Sequence, residues 1–390
     1  MMQDKKAIAV IGSTGSIGRQ TLDVISQHED KFSVEVLTAN SQADLLVEQA
    51  LRFNPNCVVI ADKSLYPRVR DALSDTYIKV FAGSESIDDA VQMESVDVVV
   101  TAIVGFAGLS PTVKAIRKGK IIALSNKETL VVAGEHITAL AAQCNVPILP
   151  IDSEHSAIFQ SINGEYCNKI KRIYLTASGG PFRNKTQAEL EKVSVREALN
   201  HPNWSMGKKV SVDSASLMNK GLEMIEARWL FGVAPSQIEA VIHPQSVIHS
   251  MVEFEDGCLK AQLGIADMRL PIQYALTYPQ RMTNNSEPFD IYKYGSLTFE
   301  RPNRKLFPCL DLAYRAVEQG GNMPAILNAA NEVAVSAFIK GYIRFMDIPD
   351  VIEKSLSEFR FIPKPSLEDL FETDDTVRRT LENKITELIK

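Results

Sequence analysis

Residues 213–223 carry the densest group of potentially reactive side chains in the sequence, Asp-Ser-Ala-Ser-Leu-Met-Asn-Lys-Gly-Leu-Glu. In a helix, Asn219 and Lys220 would lie four and three residues before Glu223. The three side chains could then converge on one small anionic, metal-bearing ligand. The segment is too polar for a helix of an apolar core. We therefore predict a binding site here.

A second cluster of carboxylates follows a short apolar run at residues 147–155, Pro-Ile-Leu-Pro-Ile-Asp-Ser-Glu-His. If the strand continues to its end, alternation places Asp152 and Glu154 on the same side. Together with Glu223 they form a set of three hard oxygen ligands. Such a set suits Mg²⁺ or Mn²⁺ better than Zn²⁺, which prefers Cys and His.

Repeated strand and helix patterns in the first 151 residues would position these groups. The run Ala7–Ile11 precedes a Gly-rich turn and a helical pattern. Alternating βα units of this kind predict an α/β fold with a Rossmann-like, doubly wound parallel sheet. The further apolar runs are Val34–Leu37, Cys57–Ile60, Val80–Phe81, Val96–Ala102, Ile121–Leu124 and Ile148–Ile151.

The pattern changes after residue 151, where we expect a mixed or antiparallel sheet with helices between its strands. The stretch from Tyr278 to Pro308 has no clear period and is rich in Pro, Asn and aromatic residues. We predict four parts: a cofactor-binding domain at 1–151, a catalytic and dimerisation α+β domain at 152–277, a linker arm at 278–308 and a helical domain at 309–390. In the last part, Ser366 and Asp369 can form a capping box.

Composition restricts the classes of partner. The chain has 390 residues, a net charge of −6 and 45% hydrophobic residues, which is typical of a globular protein and disfavours nucleic acid or an anionic membrane as the main partner. The apolar run after the first six residues is too short for a signal peptide or a membrane span. Five scattered cysteines without a Cys-x-x-Cys pair indicate a reducing cytoplasm, with each thiol a small buried hydrophobe.

The turn after the first strand has the spacing Gly12-x-x-Gly15-x-x-Gly18. Strand, glycine turn and helix together favour binding of a dinucleotide pyrophosphate over an ordinary βα turn. The second strand ends in Ala39-Asn40-Ser41, without the acidic residue that would hold a ribose 2′-hydroxyl. This absence favours NADP over NAD.

Three polar loops leave two interpretations open. Residues 125–129, Ser-Asn-Lys-Glu-Thr, either face nicotinamide and substrate or form a capped helix start. Residues 176–182 either hold a phosphate monoester or form an ordinary turn. The loop 201–207 contains His201, Trp204, Met206 and Gly207 and either closes over a ligand or is structural. For His243 and His249 a structural role is favoured.

In this order, the motifs resemble those of the 1-deoxy-D-xylulose 5-phosphate reductoisomerase family over nearly the whole chain. The resemblance rests on Gly12–Gly18, Ser125–Glu128, Asp152–His155, Ala177–Phe182, His201–Gly207 and Asn219–Glu223. It implies a homodimeric enzyme of the non-mevalonate isoprenoid pathway. That enzyme rearranges 1-deoxy-D-xylulose 5-phosphate and reduces it with NADPH to 2-C-methyl-D-erythritol 4-phosphate, with Mg²⁺, Mn²⁺ or Co²⁺.

The resemblance also implies roles for individual residues. Asp152, Glu154 and Glu223 would hold the metal, and with Lys127 and His201 they form the expected catalytic set. Lys127, Ser153, Glu154 and Glu223 would contact the substrate, whose phosphate would meet Ser178, Ser214, Asn219 and Lys220, while His201 and Trp204 close over it. The cofactor would contact Thr14, Gly15, Ser16, Ile17, Ala39, Asn40, Ser41, Asn126, Glu128, Met206 and Gly207.

The main departure from the family pattern is Ala39-Asn40-Ser41, where many members have Gly-Lys-Asn. Because the lysine is missing, we expect a preference for NADPH that is kept but weakened. The alternative function is a metal-dependent NADP oxidoreductase that acts on another phosphorylated sugar without isomerisation. A regulatory nucleotide-binding protein is disfavoured, because all three carboxylates and Lys220 remain.

Overall fold

The computed structural model describes residues 5–204 and 206–389, whose contacts divide into two units. The first unit contains residues 5–129, Ile137–Ser156 and Asp267–Glu287, and the second contains Leu130–His136, Ala157–Ala266 and the residues from Pro288 onward. The four-part division of the chain stays a prediction.

The first unit is built on a parallel sheet of seven strands. The strands are β1 (Lys6–Ile11), β2 (Phe32–Ala39), β3 (Cys57–Ile60), β4 (Lys79–Ala82), β5 (Val98–Thr101), β6 (Ile121–Leu124) and β7 (Ile148–Pro150). Their order is β4-β3-β2-β1-β5-β6-β7, and every neighbouring pair is parallel. The predicted doubly wound sheet is confirmed, with some strand ends shifted by one or two residues.

The order of the strands reverses at β1, which lies between β2 and β5. In doubly wound sheets, ligands bind at the carboxyl ends of the strands beside such a reversal. The apolar, β-branched residues of β1, β3 and β5 are buried, as expected for strands covered on both faces. The residues that follow β1 and β5 are therefore placed at the expected crevice.

Helices connect and cover the strands. In chain order they are α1 (Ser16–Gln27), α2 (Ala43–Phe53), α3 (Tyr66–Ala72), α4 (Ser84–Ala90), α5 (Leu109–Arg117), α6 (Lys127–Cys144), α7 (Ser153–Ile162), α8 (Gln187–Leu190), α9 (Val195–Ala198), α10 (Lys208–Ala215), α11 (Met218–Phe231), α12 (Arg269–Thr277), α13 (Cys309–Gln319), α14 (Met323–Ile339), α15 (Asp347–Glu358) and α16 (Leu367–Ile389).

The second unit contains a mixed sheet of four strands. The strands are β8 (Ile170–Ala177), β9 (Ile238–Ile242), β10 (Ile248–Phe254) and β11 (Leu259–Leu263). In the order β11-β10-β8-β9, β10 is antiparallel to both of its neighbours and β8 is parallel to β9. Ile173, Leu175 and Val252 belong to one core with residues of α11 and of the C-terminal helices.

The C-terminal helices complete this core. Helix α14 is buried around most of its circumference, which is typical of a central helix. Helix α16 begins as predicted, because Ser366 N–H donates to the Asp369 carboxylate (2.8 Å) and Asp369 N–H donates to Ser366 Oγ (3.1 Å). The bonds from the Ser366 backbone and side chain lower the pKa of Asp369.

Two expectations about the carboxylate segments are wrong. Strand β7 ends at Pro150 and α7 begins at Ser153, so Glu154 lies in the first turn of a helix and strand alternation does not place it. Residues 213–223 do not form one helix either. The helical conformation is interrupted between α10 and α11 at Leu217, whose φ of 61° is in the left-handed region.

The observed burial contradicts two further expectations. Helix α11 is polar yet lies in the core, since Lys220, Glu223 and Glu226 are buried beside Leu222 and Ile225. Not every thiol is buried: Cys57 and Cys309 are, but Cys167 and Cys258 are exposed. Burial raises the pKa of Cys57 to about 11, and burial together with the charge of Asp213 raises that of Cys309 to about 12. The two buried thiols are therefore protonated at neutral pH.

Candidate active site

Two glycines at the junction of β1 and α1 leave no room for a side chain. Gly12 has a φ of +87°, and a Cβ there would lie 2.7 Å from the Ala102 carbonyl oxygen. At Gly18 a Cβ would lie 2.2 Å from the Gly12 oxygen, so the helix packs directly on the turn. Gly15 precedes the first residue of α1. The backbone N–H groups of the first helical turn thus form a cradle that fits a pyrophosphate.

Hydrogen bonds tie this turn to the end of β2 and to α2. Ser13 N–H donates to the Thr38 carbonyl (2.8 Å), and Ser13 Oγ donates to Gln49 Oε1 (2.7 Å). Beyond Thr38, Ala39 is buried, whereas Asn40 and Ser41 are exposed. The residues predicted for the pyrophosphate and for the adenosine phosphate are therefore neighbours.

Asn126 caps α6, which was one of the two interpretations of residues 125–129. Its Oδ1 accepts a hydrogen bond from Thr129 N–H (3.0 Å). Its Nδ2 donates to the carbonyls of Ile103 (2.7 Å) and Gly105 (2.8 Å) and to Glu128 (3.2 Å). Asn126 therefore fixes the start of α6 against the loop that follows β5.

Lys127 and Asp152 form an ion pair in the first unit. Lys127 Nζ lies 2.6 Å from Asp152 Oδ2, and both side chains are largely shielded from solvent. His155 is buried, with its Nδ1 3.8 Å from the same oxygen. Ser153 Oγ donates to Glu154 Oε2 (2.5 Å). Two carboxylates and a hydroxyl are hard oxygen donors of the kind that Mg²⁺ prefers, so the segment suits a divalent cation.

Helix α11 brings together the three side chains singled out by their spacing. Asn219 Nδ2 and Lys220 Nζ both donate to the Glu223 carboxylate. Lys220 and Glu223 are buried. Lys220 and Glu223 can exchange this pairing for a ligand: the ammonium can bind an anionic group and the carboxylate can bind a cation.

The turn after β8 lies against α10. A Cβ at Gly180 would lie 2.7 Å from the Ser214 carbonyl oxygen and 3.1 Å from Ala215 Cα. Gly180 has a φ of +69°, which favours glycine. Ser178 and Ser214, both predicted to bind phosphate, therefore come from segments in direct contact.

The hydrogen bonds of His201 determine what Ser178 can do. His201 Nδ1 accepts from the N–H groups of Asn203 (3.2 Å) and Trp204 (3.0 Å), so its hydrogen is on Nε2. Nε2 lies 2.9 Å from Ser178 Oγ, to which Gly180 N–H also donates (3.1 Å). Because Ser178 Oγ accepts both bonds, its own hydrogen remains available for donation to an anion.

Asn203 and Trp204 contact side chains at residues 246 and 249. Asn203 Nδ2 donates to Ser246 Oγ (2.7 Å), and the Trp204 ring lies 6.1 Å from that of His249. Gly207 precedes α10. His243 accepts from Val247 N–H (3.3 Å) and donates to the Thr298 carbonyl (2.9 Å), which agrees with the structural role favoured for it.

A buried polar cluster beside Ser214 includes Lys209 and Asn331, two residues that the sequence did not single out. Asp213 is fully buried; its Oδ1 accepts from Asn331 Nδ2 (2.9 Å), and its Oδ2 lies 2.8 Å from Lys209 Nζ. The Lys209 and Asp213 spacing of four residues was a visible signal for this pair. No local pattern connected Asn331 with them. This cluster anchors α10, which carries Ser214.

Family models match most of the chain. One described as 1-deoxy-D-xylulose 5-phosphate reductoisomerase matches residues 8–134, and two for its C-terminal domains match residues 148–231 and 263–380. The reductoisomerase of Phocaeicola vulgatus is 55% identical over 96% of this chain and 98% of its own length. That of Lachnospira eligens is 50% identical over 97% and 100%.

Solved structures agree with the sequence matches. A reductoisomerase from Zymomonas mobilis in complex with NADPH has a TM-score of 0.91 and 42% identity, and covers 98% of this chain and 99% of its own. A DOX-P reductoisomerase in complex with NADPH, fosmidomycin and magnesium has a TM-score of 0.94 and 40% identity, with 99% coverage of both chains. Within residues 5–204 and 206–389, no helix has the length and apolar character needed to cross a membrane.

Proposed function

The chain belongs to the 1-deoxy-D-xylulose 5-phosphate reductoisomerase family, and from that membership we infer its activity. It is an oxidoreductase that rearranges 1-deoxy-D-xylulose 5-phosphate and reduces it to 2-C-methyl-D-erythritol 4-phosphate. This reaction provides isoprenoid precursors by the non-mevalonate pathway. It depends on NADPH and a divalent cation.

When bound, NADPH supplies the hydride and the cation polarises the substrate oxygens as a Lewis acid. The proposed metal ligands are Asp152, Glu154 and Glu223, with Mg²⁺, Mn²⁺ or Co²⁺ as the ion. The hard oxygen donors of this set support that choice. Lys127 Nζ lies 2.6 Å from Asp152 Oδ2. It therefore orients this carboxylate and offsets part of the negative charge of the three proposed ligands.

The observation that carries the proposal is the pair of hydrogen bonds at Ser178 Oγ, from His201 Nε2 and from Gly180 N–H. With both acceptor positions of Oγ used by His201 and Gly180, Ser178 is a donor suited to the substrate phosphate. Ser214, Asn219 and Lys220 are the other phosphate ligands in this proposal. Binding energy at the phosphate can hold the reacting carbons in place, so it contributes to turnover as well as to affinity.

Four residues would act on the reacting end of the substrate or cover it. Lys127 and Ser153 would donate hydrogen bonds to its oxygens. His201 and Trp204 would lie over the bound substrate and exclude water, which strengthens every electrostatic interaction beneath them.

The proposed cofactor contacts follow the order of the elements. Thr14, Gly15, Ser16 and Ile17 would hold the pyrophosphate. Ala39 at the end of β2, with Asn40 and Ser41 of the β2–α2 loop, would face the adenosine phosphate. Asn126, Glu128, Met206 and Gly207 would line the nicotinamide end. Equal catalytic efficiency with NADPH and NADH would contradict the expected preference for NADPH.

The reaction is tested by following NADPH absorbance with purified protein, 1-deoxy-D-xylulose 5-phosphate and Mg²⁺. We expect oxidation that stops on addition of a chelator, resumes with excess Mg²⁺ and is inhibited by fosmidomycin. The product should be the branched methylerythritol phosphate. An unbranched sugar alcohol phosphate would instead support the NADP oxidoreductase without isomerisation.

The phosphate assignment is tested with Ser178→Ala and a substrate without phosphate, 1-deoxy-D-xylulose. A charge-assisted hydrogen bond contributes about 1.5–3 kcal/mol, so kcat/KM for the phosphorylated substrate should fall by about tenfold to a hundredfold. The efficiency with 1-deoxy-D-xylulose should be low and equal in both proteins. An equal loss with both substrates would show that Ser178 acts elsewhere.

The assembly and location of the protein are also proposals. A homodimer is supported by the exposed apolar side chains of Leu259, Leu263, Ile291 and Tyr292 in the second unit, because such surfaces are common at subunit contacts. Sedimentation velocity would give a monomer mass if this is wrong. A cytoplasmic location is supported by the five free cysteines. Its test is fractionation of the producing cells.

A further inference from the structure

The β2–α2 loop has no charged side chain at the position expected to face the 2′-phosphate of NADPH. Asn40, Ser41 and Gln42 are exposed and neutral. The Ser13 and Thr38 hydrogen bond holds this loop beside the pyrophosphate turn, so the adenosine ribose must lie near it. A dianionic 2′-phosphate needs a cation from elsewhere in the first unit.

The connection between β3 and α3 lies directly beside this loop. Ala61 N–H donates to the Ala39 carbonyl (2.8 Å), and Asp62 N–H donates to the Asn40 carbonyl (3.0 Å). Lys63 is the next residue after Asp62. Its side chain is 67% exposed and its Nζ lies 2.5 Å from Glu85 Oε1.

A second cationic side chain, Arg68 of α3, lies near the β2–α2 loop. Arg68 is 61% exposed, and its guanidinium lies 2.6 Å from an oxygen of Asp44. Asp44 is in the first turn of α2, immediately after the loop. Exposed ion pairs of this kind are weak, so both cations can exchange a carboxylate for a phosphate. A guanidinium also matches the geometry of phosphate oxygens.

We propose that Lys63 and Arg68, both outside the β2–α2 loop, bind the 2′-phosphate of NADPH and determine the preference for NADPH over NADH. This inference rests on the proposed function. Arg68 pairs with Asp44 in the first turn of α2, and Lys63 lies three residues after the end of β3. Asp44 and Glu85 hold the two cations when no cofactor is bound.

The test measures binding by isothermal titration calorimetry of the full chain with adenosine 2′,5′-bisphosphate and with AMP. Lys63→Met and Arg68→Met should each bind the bisphosphate about fivefold to tenfold more weakly, with AMP unchanged. Glu85→Gln removes the competing carboxylate, so it should bind the bisphosphate more tightly.

Arg70→Met is the matched control, because Arg70 is also on α3 and is held in an exposed ion pair with Asp71. It should bind both probes as the wild type does. If Lys63→Met and Arg68→Met also bind both probes as the wild type does, the inference is overturned while the proposed function stands. A wild type that binds neither NADPH nor the bisphosphate would overturn both. The KM ratio of NADPH to NADH gives an independent readout.

Discussion

Replacement of Gly180 by Ala should damage substrate binding through the contact between the turn after β8 and helix α10. The added Cβ would lie 2.7 Å from the Ser214 carbonyl oxygen. An ordinary contact of this kind begins at 3.4 Å, so the turn and α10 must separate by roughly 0.7 Å, the difference between these distances. The same substitution places Ala at a φ of +69°, which costs about 1–2 kcal/mol.

The effect on catalysis comes from the separation, because Ser178 and Ser214 lie on the two segments that move apart. A misplacement of about 1 Å can cost about a hundredfold in rate, so kcat/KM should fall by about tenfold or more. The overpacking adds about 1–3 kcal/mol to the backbone cost. The assay is steady-state NADPH oxidation over a range of substrate concentrations, with thermal unfolding as a check on folding.

Gly232→Ala is the control that separates the backbone cost of a positive φ from the steric separation of the two segments. Gly232 has a φ of +64° and no atom within 4 Å of its Cβ position, so this variant has the backbone cost without the collision. It should unfold at a lower temperature but keep the wild-type KM. If both variants lose the same catalytic efficiency, the close approach of Gly180 to Ser214 does not position the phosphate ligands.

Three other predictions concern the metal, the cofactor turn and pH. Glu223→Gln should leave the fold intact but weaken Mn²⁺ binding, which paramagnetic resonance measures; Glu239→Gln is the control at a partly exposed carboxylate paired with Arg172, and unchanged metal affinity in Glu223→Gln would refute the ligand assignment. Gly18→Ala should abolish NADPH binding in a fluorescence titration, because its Cβ would lie 2.2 Å from the Gly12 oxygen; wild-type affinity would contradict this. Burial raises the pKa of Asp267, but hydrogen bonds from Arg269 outweigh it and leave the pKa lowered. The ion pair of Asp267 with Arg269 (2.7 Å) therefore stabilises the fold above about pH 4, and this stabilisation is lost as pH falls through the lower folded pKa. Asp267→Asn should flatten the acid side of a stability curve measured by urea unfolding; an unchanged slope would count against it.

The first sheet was predictable because its strands are local patterns. Runs such as Cys57–Ile60 and Ile121–Leu124 have the predicted bounds, since a buried parallel strand is apolar along its whole length. The capping box at Ser366 was predictable for the same reason. The position of Glu154 was not, because the sequence does not say where a short apolar strand ends and a helix begins.

The sequence alone determined the chemical groups of the site and the convergence of Asn219, Lys220 and Glu223, because residues three and four apart in a helix are neighbours. Only the tertiary structure decided that this polar helix lies in the core, where the cost of burying its charges is offset by paired groups. The availability of the Ser178 hydrogen is likewise tertiary. It depends on His201, which lies 23 residues further along the chain, and no periodic pattern links residues so far apart.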